Sequence, residues 1–277
     1  MLAVCSFDES VLKLDHFRLL NTPTKADFSG FEDWLCEDGP EWIAGVDFPL
    51  GQPAELISAL DWPETWEGYV RAVEQMGKQG FEQTLRDFKA SQPKGKKHLF
   101  RWVDKLTASQ SPMTLDYTPV GKMFFQGAYR LRNANVSILP VRPLPAARRI
   151  VVETYPALVT RKWIGTKQGY KNDDVSKCDQ AMETARCDIV SAIRGRNRND
   201  TYRSFEQIYG FTVEMSEQDA QICLEDTTGD SLDSVLCAIQ AAWAYTKREE
   251  NYGIPDQVNL LEGWISDPET LQDGVRS

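Results

Sequence analysis

Two runs of alternating apolar and polar residues open the chain. Leu2 to Phe7 and Val11 to Leu20 flank the turn formers Asp8, Glu9 and Ser10, which predicts a β-hairpin. In the second run Leu12, Leu14 and His16 alternate with Lys13 and Asp15, the pattern of a half-buried strand with those three on one face. The period then changes. Phe28, Phe31, Trp34 and Leu35 recur at helical spacing until Asp38, Gly39 and Pro40 end the segment. A compact apolar run, Trp42 to Val46, leads straight into Asp47, Phe48 and Pro49 and reads as a buried strand that delivers an Asp at its end.

From Pro53 to about Asn135 the pattern is mainly helical. Trp62, Trp66, Tyr69 and Val70, and later Phe81, Leu85 and Phe88, are spaced like helix faces. A lysine-rich loop (Lys94, Lys96, Lys97) and a Ser/Pro/Thr-rich stretch from Ser109 to Pro119 interrupt it, and loops of this kind often carry function. After the link Val141 to Pro145, the run Arg149 to Tyr155 predicts another buried strand, which delivers Glu153 before Pro156 ends it. Residues 174 to 195 read as helical, Asn197, Asn199 and Asp200 mark a break, and a short helix follows around Ser204 to Tyr209. The clearest helix comes last. Leu232, Val235, Leu236, Ile239, Ala242 and Trp243 obey the i, i+3, i+4, i+7 rule behind Gly229 and Asp230. Strands and helices thus alternate in the manner of an α/β protein, and 277 residues suffice for one large domain or two modest ones.

Composition narrows the chemistry. Six cysteines are scattered without a Cys-x-x-Cys pair and only His16 and His98 supply imidazole, so zinc sites and Cys/His nucleophiles are not expected and the thiols read as buried and reduced. Acid-base or metal chemistry falls to carboxylates. No apolar run approaches the roughly 20 residues of a membrane span, and Asp8 and Glu9 follow the first apolar stretch too early for a signal peptide; a cytoplasmic protein without a membrane partner is expected. The net charge of −10 conceals an asymmetry, because residues 84 to 203 hold 23 Lys and Arg against 10 Asp and Glu, whereas the rest holds 8 against 31. A basic stretch between acidic flanks is compatible with a polyanion partner beside an acidic site, and equally with an ordinary solvated face.

Acids stand at three special places: the strand ends at Asp47 and Glu153 and the helix start at Asp230 and Asp233. Each alone has a plain structural explanation, such as a turn cap or a carboxylate favoured by the helix dipole. Together they suit one edge of an open sheet, where carboxylate oxygens can hold Mg2+ or Mn2+ for phosphodiester hydrolysis. Without a cation, such acids repel one another and resist ionisation.

The segments Ala44-Gly45-Val46-Asp47-Phe48-Pro49-Leu50-Gly51, Val152-Glu153-Thr154-Tyr155-Pro156-Ala157, Asp230 to Ala238 and Glu262-Gly263-Trp264-Ile265, in this order, resemble the family called domain of unknown function 429, described as predicted nucleases of ribonuclease H-like fold. Gly121-Lys122-Met123-Phe124-Phe125 is similar to the insertion of one branch. The resemblance covers nearly the whole chain. It implies a single ribonuclease H-like α/β domain over 1–277, with a mixed five-stranded sheet flanked by helices and a mainly helical insertion at about 53–140. Its site would take Asp47, Asp230 and Asp233 as ligands of Mg2+ or Mn2+, with Glu153 in support, and the substrate would be DNA or RNA. Lys122, Arg130, Lys162 and Lys171 are the expected phosphate contacts. The family pattern opens with a strand carrying Gly-x-Asp, yet Leu2 to Phe7 and Val11 to Leu20 match its second and third strands, so the first strand is expected to be missing and the chain as given to lack that ligand. The alternative is a non-catalytic nucleic-acid or nucleotide-binding protein. An actin-like phosphotransferase ranks last, for want of paired Gly-rich loops.

Overall fold

A computed structural model describes residues 1–20, 27–145, 147–196 and 203–274. The elements in chain order are β1 (Leu2–Phe7), β2 (Val11–Arg18), α1 (Ser29–Cys36), β3 (Trp42–Val46), α2 (Ala54–Ala59), α3 (Trp66–Ser91), α4 (Trp102–Thr107) and α5 (Val120–Asn133). Then follow β4 (Ser137–Leu139), β5 (Arg149–Glu153), α6 (Pro156–Ile164), α7 (Gln180–Ile193), α8 (Phe205–Tyr209), β6 (Thr212–Glu214), α9 (Glu217–Glu225), α10 (Asp230–Thr246) and α11 (Pro268–Gly274). The protein is a mixed α/β structure of small sheets flanked by helices. It forms two compact units: the first holds residues Met1–Phe31 and Thr154–Gly253, the second Glu32–Glu153 and Ile254–Ser277. The break expected at Asn197, Asn199 and Asp200 lies outside the described residues.

In the first unit the predicted hairpin is present. Asp8 sets its turn, accepting hydrogen bonds from the backbone N–H of Ser10 (2.9 Å) and of Val11 (2.7 Å). β1 pairs antiparallel with β2, and β6 adds to β2 in parallel, giving the order β1-β2-β6. One expectation fails on β2. Leu12 and Leu14 are buried but His16 is exposed, because the register passes from Cys5↔Leu14 to Val4↔His16 and leaves Asp15 as an extra residue. A bulge of one residue reverses which face the next side chain meets. The predicted C-terminal helix is α10, which packs on β1 and β2. All six residues of its predicted apolar stripe are buried, and so are Ser231, Asp233, Cys237 and Gln240, so it is enclosed on most sides.

The second unit has a parallel sheet in the order β3-β5-β4, with Val46 opposite Glu153. Between β3 and β5 the chain forms α2 to α5 and the three-residue strand β4. Trp66, Tyr69, Val70, Val73, Phe81 and Leu85 line the buried side of α3, which kinks at Gly77 (φ 68°). Where the resemblance implies a five-stranded sheet, the hydrogen bonding among the described residues gives two sheets of three strands. β1 and β3 are each edge strands, paired only with β2 and β5 respectively.

No disulfide forms. Cys223 and Cys237 are buried as expected, but Cys36 and Cys187 are exposed, since each lies on the solvent side of its helix. None of the helices among the described residues is long and apolar enough to cross a membrane.

Candidate functional site

In the first unit the acids of interest sit on the first turn of α10. Asp226 ends α9 and prepares that turn: its carboxylate accepts from the backbone N–H of Ser231 at 2.8 Å and from the Thr228 hydroxyl at 2.6 Å. Burial raises the pKa of Asp226, but the hydrogen bonds from Thr228 and Ser231 outweigh it and hold the acid below the ordinary carboxylate value. Gly229 follows at φ 76°, a left-handed turn in which a Cβ would meet the Lys171 side chain at 2.6 Å. Asp230 then points to solvent, whereas Asp233 is only 6% exposed. Tyr170 donates its hydroxyl to one Asp233 oxygen (2.5 Å), and Lys171 forms an ion pair with the other. Burial holds Asp233 above the usual carboxylate range, against the pull of Lys171 and Tyr170.

In the second unit, Asp47 directly follows β3 and is half-buried, while Glu153 is the last residue of β5. Because the two strands are parallel and Val46 pairs with Glu153, both acids lie at the carboxyl edge of that sheet. Their environments differ. Glu153 is buried, accepting from the Arg101 guanidinium at 2.6 and 2.8 Å and from the backbone N–H of Leu50 at 2.8 Å. Arg101 also pairs with Asp104 at 2.7 Å and donates to the backbone carbonyl of Glu262 at 2.8 Å. The neighbouring Gly263, at φ 79°, would bring a Cβ within 3.1 Å of a Glu153 oxygen, so the close approach of this loop needs glycine. Glu153 thus anchors a buried ion cluster with Arg101 and Asp104.

The expected phosphate contacts are divided between the units. Lys122 and Arg130 are on α5; Lys122 is half-buried, and Arg130 pairs with Glu32 at 2.9 Å and lies over the Tyr129 ring. Lys162, on α6, donates to the carbonyl of Leu158 and faces the Tyr209 ring, and Lys171 is engaged with Asp233. Among the described residues, no group of three or more His, Cys, Asp and Glu side chains stands close enough to hold a metal ion.

The profile of a family described as a protein of unknown function, DUF429, matches residues 3–259. The chain belongs to the DUF429 family. The match spans all four acids singled out above and ends just before the Glu262-Gly263 turn. Neither a curated protein nor a solved structure matches this DUF429 chain.

Residues that the sequence pattern did not single out complete both arrangements. Arg101 and Asp104 frame the apolar Trp102-Val103 at i and i+3, a spacing that brings ends together on a helical turn. Asp226-Thr227-Thr228-Gly229 carries the turn chemistry of a helix entry, a signal that could have found Asp226. Tyr170 stands next to Lys171 in a loop with no periodic pattern, and nothing local points to its partner 63 residues on.

Proposed function

We propose that this DUF429 protein is a metal-dependent nuclease that hydrolyses phosphodiester bonds of nucleic acid, its candidate Mg2+ or Mn2+ ligands being Asp233 and Asp230 in the first unit and Asp47, with Glu153 in a supporting role, in the second. The observation that carries the reading is Asp233, a buried carboxylate on the first turn of α10 whose oxygens face an ammonium and a phenol. A buried acid with a cation at hand is held where a second, harder cation could compete for the same oxygens. The donor chemistry fits a hard divalent ion, which would supply activation of a water and charge stabilisation on phosphorus. The folded arrangement fits in part: Lys171 already engages Asp233, and Glu153 gives its oxygens to Arg101 and Leu50. Glu153 therefore supports by position, fixing the carboxyl edge of β5 beside the residue that follows β3.

The test is cleavage of labelled single- and double-stranded DNA and RNA by the full chain with Mg2+ or Mn2+. Cleavage that falls in Asp233→Asn and in Asp47→Asn by more than about 100-fold, the upper end of what losing an outer-shell partner costs, is the expected result. No cleavage in any combination removes the enzyme reading.

A second reading is a nucleic-acid or nucleotide-binding protein without catalysis. It is favoured by the absence of any three-membered metal-ligating group among the described residues. It predicts binding that weakens steeply with salt and does not respond to chelators.

A further inference from the structure

The lysine-rich loop and the Ser/Pro/Thr-rich stretch, which the candidate site does not use, are adjacent in the second unit. Ser111 donates its hydroxyl to the carbonyl of Leu99 at 2.5 Å, the Leu99 N–H meets the Met113 sulfur at 3.2 Å, and Thr114 Oγ1 lies 3.5 Å from His98 Nδ1. Further along, Asp116 stands 3.9 Å from Arg86 on α3. That approach places the end of α3 on the same surface, and burial with the nearby Lys89 holds His98 below its ordinary pKa.

Two features of this surface are unusual together. Tyr117 is fully exposed at 107% and is held at φ 64°, a left-handed conformation that a bulky residue rarely adopts. Among the described residues, no other ring packs on it. The segment from Lys78 to His98, which Arg86 and His98 join to the Thr114–Asp116 stretch, carries six Lys and Arg against two Asp and Glu, and Lys94, Lys96 and Lys97 are all exposed. An open aromatic face near exposed cations has the two components that bind a single strand: a platform for a base and charges that follow the phosphates. A duplex keeps its bases stacked on one another and has no use for an isolated tyrosine face.

We infer that the surface formed by Tyr117 and the Lys94–Lys97 loop is a binding site for single-stranded nucleic acid, with Tyr117 stacking on a base and the lysines contacting phosphates. The inference rests on the nucleic-acid part of the proposed function and not on catalysis. Charge complementarity selects the occupant: the surface is basic, and Asp116 is the single acid of the Tyr117 loop.

The experiment is fluorescence anisotropy of the full chain with labelled single-stranded and duplex oligonucleotides of about 16 nucleotides, the upper range of known single-strand site sizes, over a salt series in EDTA. The single strand is expected to bind more tightly than the duplex. Tyr117→Ala should weaken it about 5- to 150-fold, as loss of one stacked base does, and Tyr117→Phe should restore it. Combined Lys94→Ala, Lys96→Ala and Lys97→Ala should lower the slope of log K against log salt by about 2, at about 0.7 per phosphate. All four residues are exposed, so circular dichroism should show the fold unchanged. Equal binding by Tyr117→Ala, preference for duplex, or equal competition by anionic vesicles or an acidic peptide overturns the inference. Because EDTA excludes cleavage, binding without any Mg2+-dependent cleavage removes only the nuclease reading. Cleavage that persists while these variants bind unchanged removes only this surface.

Discussion

Arg101 faces two carboxylates, Asp104 and Glu153, and all three are buried. One guanidinium serves two acids here, and burial together with Asp104 holds Glu153 above the usual carboxylate range despite Arg101. Removing the cation is costly because it leaves both acids unpaired. Arg101→Met should lose about 3–5 kcal/mol of stability in urea unfolding, the range for breaking a buried pair. Glu153→Gln, which keeps the Arg101–Asp104 pair, should lose less. The pH dependence has a definite sign. A raised folded pKa means that the native state binds its proton more tightly than the unfolded chain, so this group's contribution falls as pH rises from the ordinary glutamate value through that of Glu153. Glu153→Gln should flatten the stability curve over that window, and an unchanged curve would assign the raised affinity elsewhere. Stability that is fully retained in Arg101→Met would remove the ion cluster as a structural element.

Helix α10 owes its starting point to Asp226, four residues upstream. Asp226→Ala removes the acceptor for the Ser231 N–H and for Thr228, and should lose about 0.5–2 kcal/mol, as helix-entry caps do, while Asp226→Asn retains most of it. An unfolding midpoint unmoved in Asp226→Ala would show that Gly229 alone sets the turn. At this scale the sequence was informative wherever one element obeys one period. The stripe of α10 was legible because its apolar residues repeat at helical spacing, the β1–β2 turn because of Asp8, Glu9 and Ser10, and the two strands that lead to acids because each is a compact apolar run. His16 was not legible, since the bulge at Asp15 follows from pairing with β1 and leaves no trace in the alternation of β2 itself. Strand β4 has only three residues, too short to show a period. Of the candidate site, the placement of Asp47, Glu153 and Asp233 at element ends could be read. Their partners could not, because Arg101 and Tyr170 reach them across 52 and 63 residues.

The chain passes from one compact unit to the other three times, inside α1, after Glu153 and after Gly253. Neither unit is therefore a continuous piece of sequence. The second depends on its distant C-terminal part: the Glu262 carboxylate accepts from the N–H groups of Ala54 (2.8 Å) and Trp102 (3.1 Å), and the Ser266 N–H donates to the Glu153 carbonyl at 2.9 Å. Trp264 and Ile265 bury their side chains in the same stretch, each contributing on the order of 1.5–3 kcal/mol or more. A fragment of residues 32–153 alone should lack these contacts and leave Arg101 with one of its acceptors missing. It should then show no cooperative urea transition by circular dichroism. Joining residues 254–277 to it through a flexible Gly/Ser linker of about ten residues, which reaches up to about 33 Å at modest entropic cost, should restore the transition. Cooperative unfolding of the 32–153 fragment by itself would show that β3, β5 and α3 suffice for the core. It would also assign the Glu262 to Ile265 segment a role other than closing it.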